Sequence, residues 1–134
     1  MLADDYFALA RSADLKPDNN VIIYDTKGGI KRNKLKYGKI DSIGPSKEFN
    51  ECFPDSIKTG DIFSMLPNGD EEYLCWKGDS GRFINIYSPA DETIYISGMV
   101  SGGCAEKTIA VGPDTIRSAM YPVLSSKGAT KYLN

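Results

Sequence analysis

Short runs of β-branched and aromatic residues alternate with turn-forming residues along most of this chain. The first clear run, Val21 to Tyr24, is followed by Asp25 and then by a glycine pair at positions 28 and 29. From Lys36 onward the further runs are KYGKIDSIG, GDIFSML, EEYLCW, RFINIYS, TIYISGMVS and KTIAVG. Segments rich in turn formers, such as PNGDE, KGDSG and SPADE, lie between them. Short strands at this spacing predict an antiparallel β-barrel or sandwich.

The pattern changes from strand to helix after the last of these runs. Pro113 suits the first turn of a helix, and the Asp114 carboxylate is favoured at the positive end of the helix dipole. Apolar residues then recur at helical spacing, at Ile116, Ala119, Met120 and Val123. Pro122 is expected to kink or end the helix. We therefore predict a terminal helix near Asp114 to Leu124.

Composition and charge narrow the class of protein. A chain of 134 residues, 41% hydrophobic and 25% charged, is typical of one soluble globular domain. The stretch from Lys27 to Lys39 is basic, but the net charge of the chain is −2. We therefore expect a solvated connection here and no binding to nucleic acid. No apolar run approaches the roughly 18 residues that cross a membrane, so no membrane association is expected.

Cysteine and histidine content limits the chemistry. The three cysteines, Cys52, Cys75 and Cys104, are too few and too scattered for a disulfide scaffold. The chain has no histidine and no CxxC spacing, which argues against a zinc site. We expect no metal or other cofactor, a free thiol at Cys52, and a reducing compartment such as the cytoplasm.

The segment CWKGDSGRF, residues 75–83, carries the strongest chemical signal. Because Gly, Asp and Ser are ordinary turn formers, KGDSG alone is best interpreted as a hairpin turn. GDSGR, however, resembles the nucleophile motif of chymotrypsin-like serine proteases. Downstream, SGMVSGGCAEK resembles that family's strand and pocket wall, KTIAVG its last barrel strand, and the final segment its C-terminal helix. Near the start, DDYFALAR resembles the strand that begins with the family's catalytic aspartate.

This resemblance implies a mostly β fold: the second six-stranded antiparallel barrel of such a protease, followed by a C-terminal helix. It divides the chain into residues 1–35, a leading aspartate strand with a basic interdomain connection, and residues 36–134, the barrel with its helix. GDSGRFI is also similar to GDSGRPI of alphavirus capsid proteases, with Phe83 in place of the proline. That similarity implies a viral protein that processes a polyprotein in the host cytoplasm.

The resemblance also implies roles for individual residues. Ser80 is the expected nucleophile, and the backbone N–H groups of Gly78 and Ser80 are the expected oxyanion hole. Asp5, with Asp4 as the alternative, matches the catalytic aspartate. The residues expected to contact a peptide substrate are Leu74 and Cys75, at the floor of the specificity pocket, and Ser101, Gly102 and Gly103, which would pair with an extended strand.

Two further matches concern Asp79 and the cysteines. In secreted relatives, the aspartate that matches Asp79 pairs with an amino terminus released on activation. That amino terminus is the start of the first barrel, which has no match in this chain. We therefore expect Asp79 to bond local backbone N–H groups here. Cys75 and Cys104 resemble a pair that is bridged in many relatives, with Cys75 one position out of step.

The family's catalytic histidine has no counterpart in this chain. Lys77 is the nearest substitute base, but its side chain is expected to be solvated. We interpret the chain as the C-terminal portion of a serine endopeptidase, inactive alone, whose base belongs to a missing N-terminal barrel. The chain is then expected to bind that barrel or to self-associate. Two alternatives stay open: a non-catalytic protease-fold module for binding or structure, and an unrelated β domain with a chance motif.

Overall fold

The computed structural model describes residues 7–25, 34–45, 60–69, 74–75, 79–104 and 107–133. The strands within them are β1 (Phe7–Leu9), β2 (Asn20–Asp25), β3 (Lys34–Ile43), β4 (Ile62–Pro67), β5 (Phe83–Ser88), β6 (Thr93–Cys104) and β7 (Lys107–Val111). Helix α1 (Pro113–Ser126) follows β7, and single 3-10 turns lie at Ser12–Asp14 and Thr130–Leu133.

Six of these strands close into an antiparallel barrel. Their order around it is β6, β5, β2, β3, β4 and β7, and β7 pairs again with β6. β1 lies outside the barrel and runs parallel to the first part of β6, with Phe7 opposite Ile94 and Leu9 opposite Ile96. The prediction of a mostly β protein with a six-stranded antiparallel barrel and a C-terminal helix is therefore confirmed.

One barrel strand differs from the set that the sequence predicts. β2, which falls in the segment before residue 36, pairs with β3 along its length and with β5 through Ile22 and Asn85. The EEYLCW run, predicted as a strand, contributes Leu74 and Cys75 as a bend, and its other residues lie outside the described chain. The barrel therefore includes part of the segment that the sequence assigns to a connection, because β2 finds partners on both sides.

Buried and exposed residues alternate along β3, which shows how one face of a strand fills the barrel interior. Lys36, Gly38 and Ile40 are buried, and the residues between them are exposed, as expected for a strand with one face on a core. Gly38 admits no side chain, since a Cβ there would lie 2.6 Å from the Leu66 carbonyl oxygen. The main apolar cluster consists of Leu15, Val21, Ile23, Ile40, Phe63, Met65, Leu74, Ile84, Val100 and Ala110.

Helix α1 packs on the outside of the barrel, beside β1 and β6. Ile116 is buried in a second apolar cluster with Leu9 and Leu133. The amino terminus of α1 is held by Asp61, whose Oδ2 accepts hydrogen bonds from the Thr115 N–H at 2.7 Å and the Thr115 hydroxyl at 2.6 Å. A carboxylate at this end of a helix is favourable, because it meets the positive end of the helix dipole.

The bounds of α1 agree with the prediction, but its buried face does not. Pro122 lies inside the helix, which continues to Ser126, so Pro122 does not end it. Of the predicted apolar stripe only Ile116 is buried, whereas Ala119, Met120 and Val123 are exposed. Val123 lies about two turns after Ile116, on nearly the same face of the helix, yet it is 57% exposed. The second half of α1 therefore extends beyond the surface that buries Ile116.

Candidate functional site

Asp79, Ser80, Gly81 and Arg82 form a tight turn, the Ser80 turn, that leads into β5. The Arg82 N–H donates to the Asp79 carbonyl at 3.1 Å and so closes the turn. Gly81 has a φ of 93°, in the left-handed region that glycine adopts without steric strain. A positive φ at the third position is typical of a type II turn. The GDSG sequence thus supplies glycine where the turn needs it and leaves Ser80 exposed.

Three hydrogen bonds fasten the Ser80 turn to β6. The Gly81 N–H donates to the Val100 carbonyl at 2.8 Å, and the Val100 N–H donates to the Arg82 carbonyl at 2.8 Å. The Ser80 hydroxyl donates to the Ser101 carbonyl at 3.4 Å. Two predicted site residues, Ser80 and Ser101, are therefore neighbours although 21 residues separate them in the sequence.

The side chain of Asp79 is directed into the protein, and the residue is 5% exposed. Its Oδ1 accepts a hydrogen bond from Arg82 Nε at 2.9 Å, which is also an ion pair. Arg82 Nη1 donates to the Tyr24 carbonyl of β2 at 3.2 Å. Local backbone N–H groups were the predicted partners of Asp79, and the Arg82 side chain is a partner that the prediction did not include. Opposite charges three residues apart across a turn are the signal that indicates such a pair.

Ser101 occupies a β-bulge in β6. The register between β6 and β7 shifts between Val100 and Gly102, so Ser101 is the extra residue between two paired positions. On the other edge of β6, pairing with β5 ends at Met99. Bulges are frequent beside active sites, where they redirect the groups of a strand. Beyond Met99, this edge of β6 is bonded to the Ser80 turn at Val100 and Ser101 and has no paired strand among the described residues.

Leu74 and Cys75, the predicted floor of a pocket, lie toward the interior. Leu74 is buried in the main apolar cluster, so it presents no surface to a substrate in this conformation. Cys75 is partly buried and packs against the same cluster. It is a free cysteine, so it is not bridged to Cys104.

The surroundings of Cys75 keep its thiol protonated. Burial, and after it the negative charge of Asp79, raise the pKa of the Cys75 thiol from its ordinary 9.0 to about 11. A hydrogen bond with Thr108 and the charges of Lys36 and Arg82 lower this pKa by smaller amounts. Since the thiolate is the reactive form of cysteine, Cys75 is not suited to act as a nucleophile at neutral pH.

The predicted acid and one predicted oxyanion donor lie outside the described residues. These are Asp5, with its alternative Asp4, and Gly78, so their roles stay predictions. The substitute base Lys77 and the predicted free thiol Cys52 also lie outside the described residues.

Fold and site together define a closed six-stranded antiparallel barrel with one C-terminal helix and an exposed serine on a constrained turn. Over the described residues, no group of three or more His, Cys, Asp or Glu side chains could hold a metal. In the same part of the chain, no helix is both long and apolar enough to cross a membrane. No protein-family model matches this chain, and no curated protein matches its sequence significantly. The functional interpretation therefore depends on the Ser80 turn.

Proposed function

We propose that this chain is the C-terminal portion of a chymotrypsin-like serine endopeptidase, with Ser80 as the nucleophile. The observation that carries the proposal is the Ser80 turn, in which an exposed hydroxyl lies 3.4 Å from the Ser101 carbonyl and the backbone is bonded to β6. A nucleophile needs this combination of access and fixed position. A simple hairpin turn has no need of a buried carboxylate paired with an arginine, as Asp79 is with Arg82.

The proposed reaction is acyl transfer. The Ser80 oxygen attacks the peptide carbonyl carbon while a base takes the hydroxyl proton. The carbonyl oxygen becomes negatively charged, and the N–H groups of Gly78 and Ser80 are proposed to stabilise it. The C–N bond then breaks as the base gives the proton to the leaving amine, and water releases the acyl group from Ser80. The chain contains no histidine, so we propose that the base comes from a partner barrel.

The proposed substrate is an extended peptide, such as a segment of a polyprotein. It would add a strand at Ser101, Gly102 and Gly103, beyond the end of the β5–β6 pairing. The two glycines leave room for substrate side chains beside this edge. Leu74 would contact such a substrate only after leaving its place in the core, so its predicted pocket role requires a conformational change.

We further propose that the partner barrel docks on an apolar patch beside the Ser80 turn. The apolar patch is defined by four exposed side chains, 45% to 51% accessible, those of Tyr24, Leu35, Tyr37 and Phe83. Tyr24 lies opposite Leu35 in the β2–β3 pairing, and Phe83 directly follows the Ser80 turn. Contiguous exposed apolar surface is typical of protein interfaces. A partner that docks on this patch would be in a position to bring a base to Ser80.

Acylation of Ser80 in the presence of a small base tests the proposed function on this chain. The chain is treated with p-nitrophenyl acetate, with and without imidazole, and acetylation of each serine is followed by peptide mapping and mass spectrometry. Ser126 is a matched control. It is also exposed, and its hydroxyl donates to a backbone carbonyl, that of Val123, at 2.7 Å.

With imidazole present, Ser80 is expected to be acetylated about tenfold or more faster than Ser126, because a single oxyanion-hole donor contributes about a hundredfold or more in enzymes. Without imidazole both serines should react slowly, since neither hydroxyl has a base to accept its proton. Equal rates for Ser80 and Ser126 in the presence of imidazole would contradict the assignment of Ser80 as a nucleophile.

The absence of histidine favours a second candidate, a non-catalytic module of the same fold. Such a module would bind an extended peptide at the edge from Ser101 to Gly103 without forming an acyl group on Ser80. It predicts that peptides bind equally well to the wild type and to Ser80→Ala, as measured by calorimetry. It also predicts no preferential acetylation of Ser80.

A further inference from the structure

Asp79 is a carboxylate in the protein interior, and its burial requires a compensating charge. The residue is 5% exposed, and removing an ionised carboxylate from water is strongly unfavourable unless it is paired. The Arg82 guanidinium supplies this charge, with its Nε 2.9 Å from Asp79 Oδ1. Both members of the pair belong to the Ser80 turn, and they are the residues on either side of Ser80 and Gly81. The ion pair therefore constrains the backbone that carries the Ser80 hydroxyl.

Arg82 also fastens the Ser80 turn to two strands of the barrel. Its Nη1 donates to the Tyr24 carbonyl in β2 at 3.2 Å, and its own carbonyl accepts the Val100 N–H of β6 at 2.8 Å. The guanidinium is planar and its N–H groups have fixed directions, so one side chain can hold a carboxylate and a carbonyl together. A lysine at this position would keep the charge without reproducing both directed contacts.

We propose that Arg82 is a positioning residue for Ser80: its guanidinium, bound to Asp79 and to the Tyr24 carbonyl, holds the Ser80 turn in its reactive conformation. The counter-charge for Asp79 then comes from the same turn. Ordering of the turn therefore needs no amino terminus released by cleavage, unlike in the secreted proteases that the motif resembles. The reactivity in this inference rests on the proposed function, whereas the geometry of the turn does not.

Lys36 is a second cation directed toward this region. It faces the barrel interior from β3 and is 9% exposed. The charges of Lys36, Arg82 and Asp79 all act on the Cys75 thiol, so these groups share one neighbourhood. Arg82 differs from Lys36 because it belongs to the Ser80 turn and contacts the backbone of β2. We therefore assign the positioning role to Arg82, and Lys36→Met becomes the variant that discriminates between the two cations.

Arg117 offers a matched control in another part of the fold. Like Arg82, it is partly buried and pairs with an aspartate three residues earlier, Asp114, at 2.8 Å. It also donates to backbone carbonyls, those of Leu9, Ala10 and Leu133. Arg117→Met removes the same kind of interaction from α1. It should lower the stability of the protein and leave Ser80 reactive.

The first measurement is the rate of Ser80 acetylation with imidazole, at a temperature where circular dichroism shows each variant to be folded. Arg82→Met is expected to lower this rate about tenfold or more, because the hydroxyl loses its fixed position. Arg82→Lys should give an intermediate rate, since it keeps the charge beside Asp79. Lys36→Met and Arg117→Met should react at the wild-type rate.

The second measurement does not depend on reactivity. The Gly81 N–H donates to the Val100 carbonyl, so its hydrogen exchange reports opening of the Ser80 turn. Arg82→Met should speed this exchange about tenfold or more, because the local opening of the turn becomes easier. The Ala10 N–H, which donates to the Ile96 carbonyl at 2.9 Å, should exchange as it does in the wild type.

Wild-type rates of Ser80 acetylation and Gly81 exchange in folded Arg82→Met would overturn the inference. Faster Gly81 exchange with unchanged acetylation would make Arg82 a structural residue only, and the inference would fall. The same holds if Lys36→Met, and not Arg82→Met, lowers the acetylation rate. If the wild-type chain itself shows no preference for Ser80, the proposed function fails, and Gly81 exchange alone decides whether Arg82 holds the turn.

Discussion

The proposed chemistry depends on a few side chains whose surroundings differ sharply over short distances. Ser80 is exposed, while its neighbour Asp79 is buried and paired with Arg82. The exposed serine and the glycine after it could be predicted, because GDSG is a local turn pattern. The inward direction of Asp79 and the contact from Arg82 to β2 could not, because both depend on strands that are distant in the sequence.

Gly81→Ala is expected to lower the free energy of unfolding by about 1–2 kcal/mol, because an alanine is strained at a positive φ. The φ of Gly81 is 93°, and no described atom lies within 4 Å of the added methyl position, so the loss comes from the backbone. Gly103→Ala is the control, with a Cβ 3.4 Å from the Lys107 carbonyl oxygen and no positive φ. Urea denaturation gives the free energy of unfolding of the two variants. Equal values for Gly81→Ala and Gly103→Ala would show that the turn tolerates a side chain at position 81.

The raised pKa of Cys75 predicts a loss of stability at alkaline pH. Between pH 9.0 and about 11 the unfolded chain releases the Cys75 proton while the folded protein retains it. The unfolded state binds fewer protons in this window, so the free energy of unfolding falls as the pH rises. Cys75→Ala should reduce this decrease in the free energy of unfolding by on the order of 1–2 kcal/mol, a value that allows for solvent screening of the partly exposed thiol. Denaturant titrations across this pH window give the free energy of unfolding of the two proteins. If it depends on pH identically in both, the pKa of the Cys75 thiol is not raised by folding.

Among the elements of the fold, local pattern predicts strands well but does not choose between similar runs. The run that forms β2 has the same local character as the runs assigned to the barrel, and only its pairing with β3 and β5 shows that it is a barrel strand too. Helix α1 shows the same limit. Val123 fits its apolar stripe as well as Ile116 does, yet only Ile116 meets the barrel. Such choices depend on contacts between segments that are far apart in the chain.

Substitutions in α1 test which of its faces is buried. Ile116→Ala should lower the free energy of unfolding by about 2–4 kcal/mol, because it deletes methyl groups from the cluster with Leu9 and Leu133. Val123→Ala removes an exposed side chain and should change it by less than about 0.5 kcal/mol. Thermal and urea denaturation give both values. Similar losses at the two positions would indicate that the whole apolar stripe is buried.

For the molecule as a whole, closure of the barrel changes where association can occur. Each barrel strand has a partner strand on both sides. Apart from the proposed peptide-binding edge of β6 at Ser101 to Gly103, this closure protects the sheet from pairing edge to edge with another chain. The apolar patch lies instead on the outer face of β2, β3 and β5. A partner, or a second copy of the chain, is therefore expected to cover this face.

The apolar patch predicts concentration-dependent association of the isolated chain. Tyr37→Lys places a charge within the patch and should shift the chain toward the monomer in sedimentation equilibrium. Tyr121→Lys is the matched control, because Tyr121 is similarly exposed, at 56% against 51% for Tyr37, but lies on α1. A wild-type chain that stays monomeric at high concentration would contradict the prediction. A response to Tyr121→Lys alone would move the interface to α1.

The dependence of Ser80 acetylation on imidazole concentration tests the central claim, that Ser80 is a nucleophile that lacks only its base. General-base catalysis predicts a rate that rises linearly with the concentration of unprotonated imidazole. The slope for Ser80 should exceed that for Ser126 by about tenfold or more, because the Ser80 turn fixes the hydroxyl beside the proposed oxyanion hole. Equal slopes for Ser80 and Ser126 would contradict the claim, and Ser80 would then be an ordinary serine in a hairpin turn.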